Sequence, residues 1–139
     1  MDLDPERNYI MGYHPHGVIS IGAIGCVAGD YAGWRILFPK IKSYLITLPI
    51  NFKIPLLREL LIFSGIVNSN KKSISYLVSN KKKGNATIIV VGGAEESLEA
   101  HEDNFNLVLK NRKGFVKLAI QNGASLVPIY GFGENSLYK

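Results

Sequence analysis

Apolar residues in this chain fall into short runs separated by glycine, proline and charge, and the runs are of two kinds. Tyr9-Ile10-Met11-Gly12-Tyr13 and Ala86-Thr87-Ile88-Ile89-Val90-Val91 are continuous. A continuous run rich in β-branched residues predicts a strand covered on both faces. Ser43 to Leu48, ended by Pro49, and Leu126 to Tyr130 predict two further strands. Between them the spacing becomes helical. Val18 to Ala28 is apolar or small throughout and predicts a buried helix. Leu56 to Ser64 predicts another, with Pro55 suited to its first turn and Gly65 beyond its end. Its only charges are Arg58 and Glu59, so it is expected to be buried on most faces or to lie against lipid. Ser73 to Lys81 places Ile74, Leu77 and Val78 on one face, and its terminal lysines complement the helix dipole. Arg112 to Asn122 places Phe115, Leu118 and Ala119 on its apolar side, with Gly123 as the stop. Asn106 to Lys110 predicts a short extended piece, and Gly92-Gly93-Ala94-Glu95-Glu96 a loop leaving the strongest strand.

Strand and helix therefore alternate. This argues an α/β fold, a largely parallel sheet with flanking helices, in one domain spanning residues 1–139. No internal repeat or linker interrupts it. Ligand sites in such sheets lie beyond the carboxyl ends of the strands. Two polar segments sit there: His14-Pro15-His16-Gly17 and Gly92-Gly93-Ala94-Glu95-Glu96.

The 139 residues are 47% hydrophobic, enough for a core, and carry a formal charge of +5. Lysines cluster at Lys71-Lys72, Lys81-Lys82-Lys83 and around Arg112-Lys113. A basic surface suits phosphate-bearing partners, but the basic segments lack interleaved aromatics, so no nucleic-acid partner is expected. The sole cysteine, Cys26, cannot form an internal disulfide, which points to a reducing compartment or a cytosol-facing domain. Its apolar neighbours predict a small core residue. No apolar stretch of about 18 residues is present to span a bilayer, and the polar first residues do not resemble a signal peptide. The sequon Asn85-Ala86-Thr87 runs into a predicted strand and is read as a chance match.

The chemistry rests on the two histidines. Pro15 stiffens the turn that holds them. A carboxylate from Glu95 or Glu96 bound to one ring nitrogen would fix the tautomer and strengthen the other nitrogen as a base. Such a dyad can take a proton from an alcohol and drive the oxygen onto an acyl carbon, without a metal. Backbone N–H groups of Gly92 and Gly93 could face the developing oxyanion. One rival reading is a metal-dependent hydrolase with His14 and His16 as two ligands and Glu95, Glu96 or His101 completing the shell; a second is a non-catalytic fragment that binds a membrane. There is no Gly-x-Ser-x-Gly elbow, no phosphate-binding loop, no dinucleotide fingerprint and no paired Cys-x-x-Cys site.

These motifs converge on a family. Asn8 to Gly17, Pro55-Leu56-Leu57-Arg58-Glu59, Gly92 to Leu98, Asn111 to Ala119, Leu126-Val127-Pro128 and Phe132-Gly133-Glu134-Asn135 occur in order along nearly the whole chain. In these blocks the chain resembles the diacylglycerol acyltransferase type 2 family, which includes monoacylglycerol and wax-alcohol acyltransferases. The resemblance implies transfer of a fatty acyl group from acyl-coenzyme A, as substrate rather than cofactor, to a lipid hydroxyl. The partners it implies are acyl-coenzyme A, a mono- or diacylglycerol or long-chain alcohol, and a membrane or lipid-droplet surface; a homo-oligomer is compatible with the sequence. It places the protein on the cytosolic face of the endoplasmic reticulum membrane and on lipid droplets. Family members are longer, with a membrane-embedded hairpin before the His-Pro-His-Gly block and a further C-terminal segment. A partial catalytic domain is therefore expected here.

The family is also distantly similar to glycerolipid acyltransferases with a His-x4-Asp motif. Here the positions five residues after the histidines are Ile19 and Ile21, so the orienting carboxylate must come from elsewhere, and Glu96 is the choice. His16, beyond the proline and next to Gly17, is expected to be the base. His14 would position the turn, and Glu96 would orient the active imidazole. No metal is expected. Gly17, Gly92 and Gly93 are expected at the substrate, Arg112 and Lys113 at coenzyme phosphates on a helix start, and Arg58 and Glu59 either to pair with each other or to anchor the site, with Arg58 counted among the substrate-binding residues. Trp34 is expected either to pack or to sit at a lipid boundary.

Overall fold

The computed structural model describes residues 2–28, 32–79 and 81–137. Five strands form one sheet: β1 (Tyr9–His14), β2 (Lys42–Thr47), β3 (Val67–Asn68), β4 (Asn85–Val90) and β5 (Ser125–Tyr130). The order is β3-β2-β4-β1-β5 and every pairing is parallel. The α/β architecture with a parallel sheet and flanking helices is as the alternation of patterns implies.

Six α-helical segments connect the strands: α1 (Ile21–Ala23), α2 (Trp34–Leu37), α3 (Leu57–Phe63), α4 (Lys71–Val78), α5 (Gly93–Leu98) and α6 (Gly114–Asn122). β1 is buried along its whole length because both faces are covered. Side chains alternate across a strand. Tyr9, Met11 and Tyr13 join Ala23, Val27, Trp34 and Leu45 in one core. Ile10 joins Ile74, Leu77, Val78, Leu118 and Ala119 of α4 and α6 in the other. The consecutive residues Tyr13 and His14 therefore leave the end of β1 toward opposite faces. β1 lies between β4 and β5, with Tyr13 level with Val90 and His14 level with Tyr130. Three strand ends thus meet at one place.

Several elements differ from the sequence pattern. The helix expected over Val18 to Ala28 is the single turn α1 followed by a π-helical turn, Ile24–Ala28. Wider winding there turns Ala23 and Val27 inward and leaves Cys26 exposed, so Cys26 is not the core residue its neighbours suggested. α2, β3 and the 3₁₀ turns Pro49–Lys53 and Glu134–Ser136 have no counterpart in the pattern. α4 begins at Lys71 and ends at Val78, so Lys81 to Lys83 follow it rather than cap it; Asn80 lies outside the described residues. No strand or helix forms over Asn106 to Lys110.

α3 buries none of its residues, and Leu56 and Phe63 are 84% and 92% exposed. Of the two expectations for this helix, burial on most faces does not hold. The sheet ends beside it in the two-residue strand β3, which offers little surface to cover it. Trp34, by contrast, is buried. Its Nε1 donates to the Ile41 carbonyl at 2.9 Å and its ring lies against Phe38. Asn85 is buried with its amide donating to the Leu77 carbonyl, which fits the reading of its sequon as chance.

Candidate active site

Glu96 is the centre of the site. It sits on α5, which starts directly after β4, so the expected Gly-Gly-Ala-Glu-Glu loop is in fact a helix. Glycines disfavour helix interiors, but here they stand at its start. A Cβ on Gly92 would fall 1.9 Å from the Glu96 carboxyl carbon, so the missing side chain is what lets that carboxylate fold back toward β1. Glu96 is 4% exposed and accepts three hydrogen bonds. Oε1 takes the His14 Nδ1 proton at 2.8 Å and the Val108 N–H at 2.7 Å; Oε2 takes the His16 N–H at 2.9 Å. Three donors offset the cost of burying the carboxylate.

A carboxylate only accepts, so the His14 proton is on Nδ1 and Nε2 keeps its lone pair while the ring is neutral. His14 is 6% exposed, and its Nε2 is buried with no hydrogen-bond partner among the described residues. His16 is half-buried. Its Nδ1 donates to the Gly17 carbonyl at 2.9 Å, which fixes the same tautomer by a backbone acceptor. Beside the turn lies a cavity of about 70 Å³ whose lining includes Pro15, Tyr130, Gly131 and Asn135. That is several times the room a single water needs.

The structure separates two expectations that the sequence reading joined. Glu96 reaches both histidines, but the ring it orients belongs to His14; His16 meets it only through its backbone. The other residues singled out are placed as follows. Gly17 is buried at φ +59°, in the left-handed region that favours glycine. Gly93 lies in open space at the start of α5. Arg112 precedes α6 by two residues and donates to Glu95 at 3.1 Å and to the Gly92 carbonyl at 3.4 Å, tying itself to the start of α5. Lys113 is the exposed residue just before α6, so neither basic residue is inside the helix start. Arg58 is exposed on α3 and forms no ion pair with Glu59, because consecutive helix residues point in different directions. Among the described residues, no group of three or more His, Cys, Asp or Glu side chains is placed to hold a metal ion. His101 is exposed, with Nδ1 on the Glu99 carbonyl.

Over residues 1–139, its whole length, the chain matches the family model for diacylglycerol acyltransferase. The chain belongs to the diacylglycerol acyltransferase family. Among its relatives are the human 2-acylglycerol O-acyltransferase 1, 51% identical over 138 residues, and the zebrafish (Danio rerio) and mouse (Mus musculus) diacylglycerol O-acyltransferases 2, 50% and 52% identical. Each match covers 99% of this chain but only 41%, 38% and 36% of the relative. The chain thus spans about two fifths of the length of the curated relatives it matches. No solved structure matches it.

Two partners in the candidate site escaped sequence reasoning. Val108 contributes only a backbone N–H, which any residue but proline has. Glu134, on the turn after β5, is 4% exposed and accepts from the Tyr13 hydroxyl at 2.8 Å and from the Gly22 N–H at 2.9 Å. Burial, and then the bond to Glu134, hold the Tyr13 phenol above its usual pKa range. Glu134 follows Gly133 beyond β5, and nothing in its spacing along the sequence brings it to Tyr13.

Proposed function

We propose that this chain carries the acid–base centre of an acyl-coenzyme A-dependent acylglycerol O-acyltransferase. The observation that carries the reading is the buried pair His14–Glu96, in which Nδ1 is held by a carboxylate at 2.8 Å and Nε2 has no partner among the described residues. That is the arrangement of a base. Membership of the diacylglycerol acyltransferase family and the names of the relatives support the substrate class.

In this reading the hydroxyl of a mono- or diacylglycerol gives its proton to His14 Nε2 as its oxygen attacks the thioester carbonyl of acyl-coenzyme A. A C–O bond forms, the tetrahedral intermediate collapses, and the C–S bond breaks. The coenzyme A thiolate leaves and recovers the proton from the imidazolium. Glu96 stabilises that imidazolium and keeps its ring in register. His16, its Nε2 also free of a proton when neutral, lies on the same turn and is assigned to binding the acceptor or the leaving group. Arg112 and Lys113, just before α6, are assigned to the coenzyme's phosphates in this scheme. No metal takes part.

The exposed apolar side chains of α3, together with the net positive charge, support attachment to an anionic lipid surface. No helix among the described residues is long and apolar enough to cross a membrane. The proposed location is the cytosolic face of the endoplasmic reticulum membrane and lipid droplets.

The test is lipid product analysis. The chain is assayed in phospholipid vesicles, alone and exchanged for the matching segment of the human relative, with oleoyl-coenzyme A and a mono- or diacylglycerol. The expected result is a di- or triacylglycerol product from the exchanged protein. A folded exchanged protein that makes neither would overturn the assignment.

A further inference from the structure

The histidine turn is held by a second buried carboxylate that the proposed mechanism does not use. Glu134 approaches from the end of β5, and its Oε2 binds Tyr13 and Gly22 together. Tyr13 precedes His14 on β1; Gly22 lies in α1, the first turn after the histidine segment. The protein is shaped around this pair by the absence of three side chains. A Cβ on Gly22 would stand 2.3 Å from both Glu134 Oε2 and the Tyr13 hydroxyl oxygen. One on Gly131 would stand 2.1 Å from that hydroxyl oxygen. One on Gly17 would stand 2.7 Å from Glu134 Cγ. Three glycines on two stretches of the chain thus leave room for one carboxylate and one phenol.

The consequence runs to the imidazole of His16. Glu134 packs against Gly17, and the Gly17 carbonyl accepts the His16 Nδ1 proton. Glu96 holds the same residue from the other side, through its N–H. We infer that Glu134 is a positioning residue, which fixes the Gly17 peptide and through it the tautomer and aim of His16. The turn is then clamped between two glutamates. Glu96 sets its first half, the His14 ring and the His16 backbone; Glu134 sets its second half, Gly17 and the entry to α1. Ser20 adds a local tie, its hydroxyl donating to the His16 carbonyl at 2.8 Å. Because the paired oxygen of Glu134 only accepts, a glutamine oxygen can replace it in both bonds.

This inference rests on the acyltransferase reading for its effect on turnover but not for its effect on His16. The experiment therefore has two arms, using Glu134→Gln, Glu134→Ala and Tyr13→Phe. The first arm is long-range ¹H–¹⁵N NMR of the imidazoles in the full chain. Wild type and Glu134→Gln should show His16 protonated at Nδ1, and Glu134→Ala a mixture of tautomers, with the His14 signals unchanged. The second arm is acyl transfer by the same variants in the exchanged protein. A misplaced group of this kind costs up to about 100-fold in rate. Glu134→Ala should accordingly lose about 10- to 100-fold in kcat, with KM within about twofold, and Glu134→Gln should recover most of the loss. If Glu134→Ala does not fold, Tyr13→Phe replaces it, with the same sign and a smaller effect. An unchanged His16 tautomer in a folded Glu134→Ala protein overturns the inference. So does a Glu134→Gln variant as impaired as the alanine. A wild type without transfer activity sinks the acyltransferase reading instead and leaves the NMR arm to decide this one.

Discussion

Glu96→Gln is the substitution with the most calculable outcome, because the carboxylate has three donors and the amide has one oxygen. With its oxygen in the Oε1 position, glutamine keeps His14 and Val108 but turns its NH₂ toward the His16 N–H. With the oxygen in the Oε2 position it keeps His16 but opposes the Val108 N–H. Either orientation leaves one buried backbone donor facing another donor. A lost bond to a charged acceptor is worth about 1.5–3 kcal/mol, and a buried donor left unpaired adds to that, so the variant should lose about 2–4 kcal/mol. For a domain of this size each kcal/mol moves the melting point by about 4 °C. Thermal unfolding of the chain, followed by near-ultraviolet circular dichroism, should show a fall of about 8–16 °C. The second orientation also offers His14 Nδ1 a donor, which places the ring proton on Nε2 and removes the base. Turnover should then drop by about 10²–10⁴-fold. A melting point within about 2 °C of wild type would mean that the three-donor cradle does not exist in solution, since even one lost bond exceeds that.

Other outcomes follow from single contacts. Gly131→Ala brings a methyl onto the Tyr13 hydroxyl and should destabilise the chain by about 1–3 kcal/mol, measurable by urea unfolding. Tyr13→Phe should flatten the alkaline limb of stability. The native phenol binds its proton more tightly than the unfolded one, so wild-type stability falls as pH rises above the ordinary tyrosine value of 10.0, and the variant lacks that term. Arg112→Ala should change stability by less than about 1 kcal/mol in thermal unfolding, because its ion pair with Glu95 is exposed and its bond to the Gly92 carbonyl is long; a larger loss would mean that these ties hold the start of α5. Paired Leu56→Glu and Phe63→Glu substitutions should weaken flotation with anionic vesicles by at least about tenfold while leaving the melting point unchanged, as both side chains are exposed.

The sheet was legible because its central strands are covered on both faces, so Tyr9–Tyr13 and Ala86–Val91 read as unbroken apolar runs. Helix placement was less so. The apolar residues of α3 read equally as core or lipid-facing, and only the two-residue strand beside them decides against the core. The face of Cys26 depends on a π-helical turn that periodicity at 3.6 residues does not anticipate. Within the site, the titratable residues were visible in the His-Pro-His-Gly and Gly-Gly-Ala-Glu-Glu blocks. Which imidazole meets Glu96 was not. Two histidines separated by a proline look alike in sequence, and the choice is made by strand direction: His14 is still part of β1 and points toward α5, whereas His16 lies beyond the strand and contributes its backbone. The Val108 N–H carries no sequence signature at all. Glu134 becomes conspicuous only when Gly17 and Gly22 are seen to crowd around it and Gly131 around its partner Tyr13.

The central claim is that the His14 ring is the base. Its most direct test is the acyl-transfer rate of His14→Ala set beside His16→Ala, each exchanged into the human relative and each checked for folding. The account predicts a loss of about 10²–10⁴-fold in kcat for His14→Ala and a smaller loss for His16→Ala. Near-normal turnover by a folded His14→Ala protein, with the full loss in His16→Ala, would contradict it and return the base to His16.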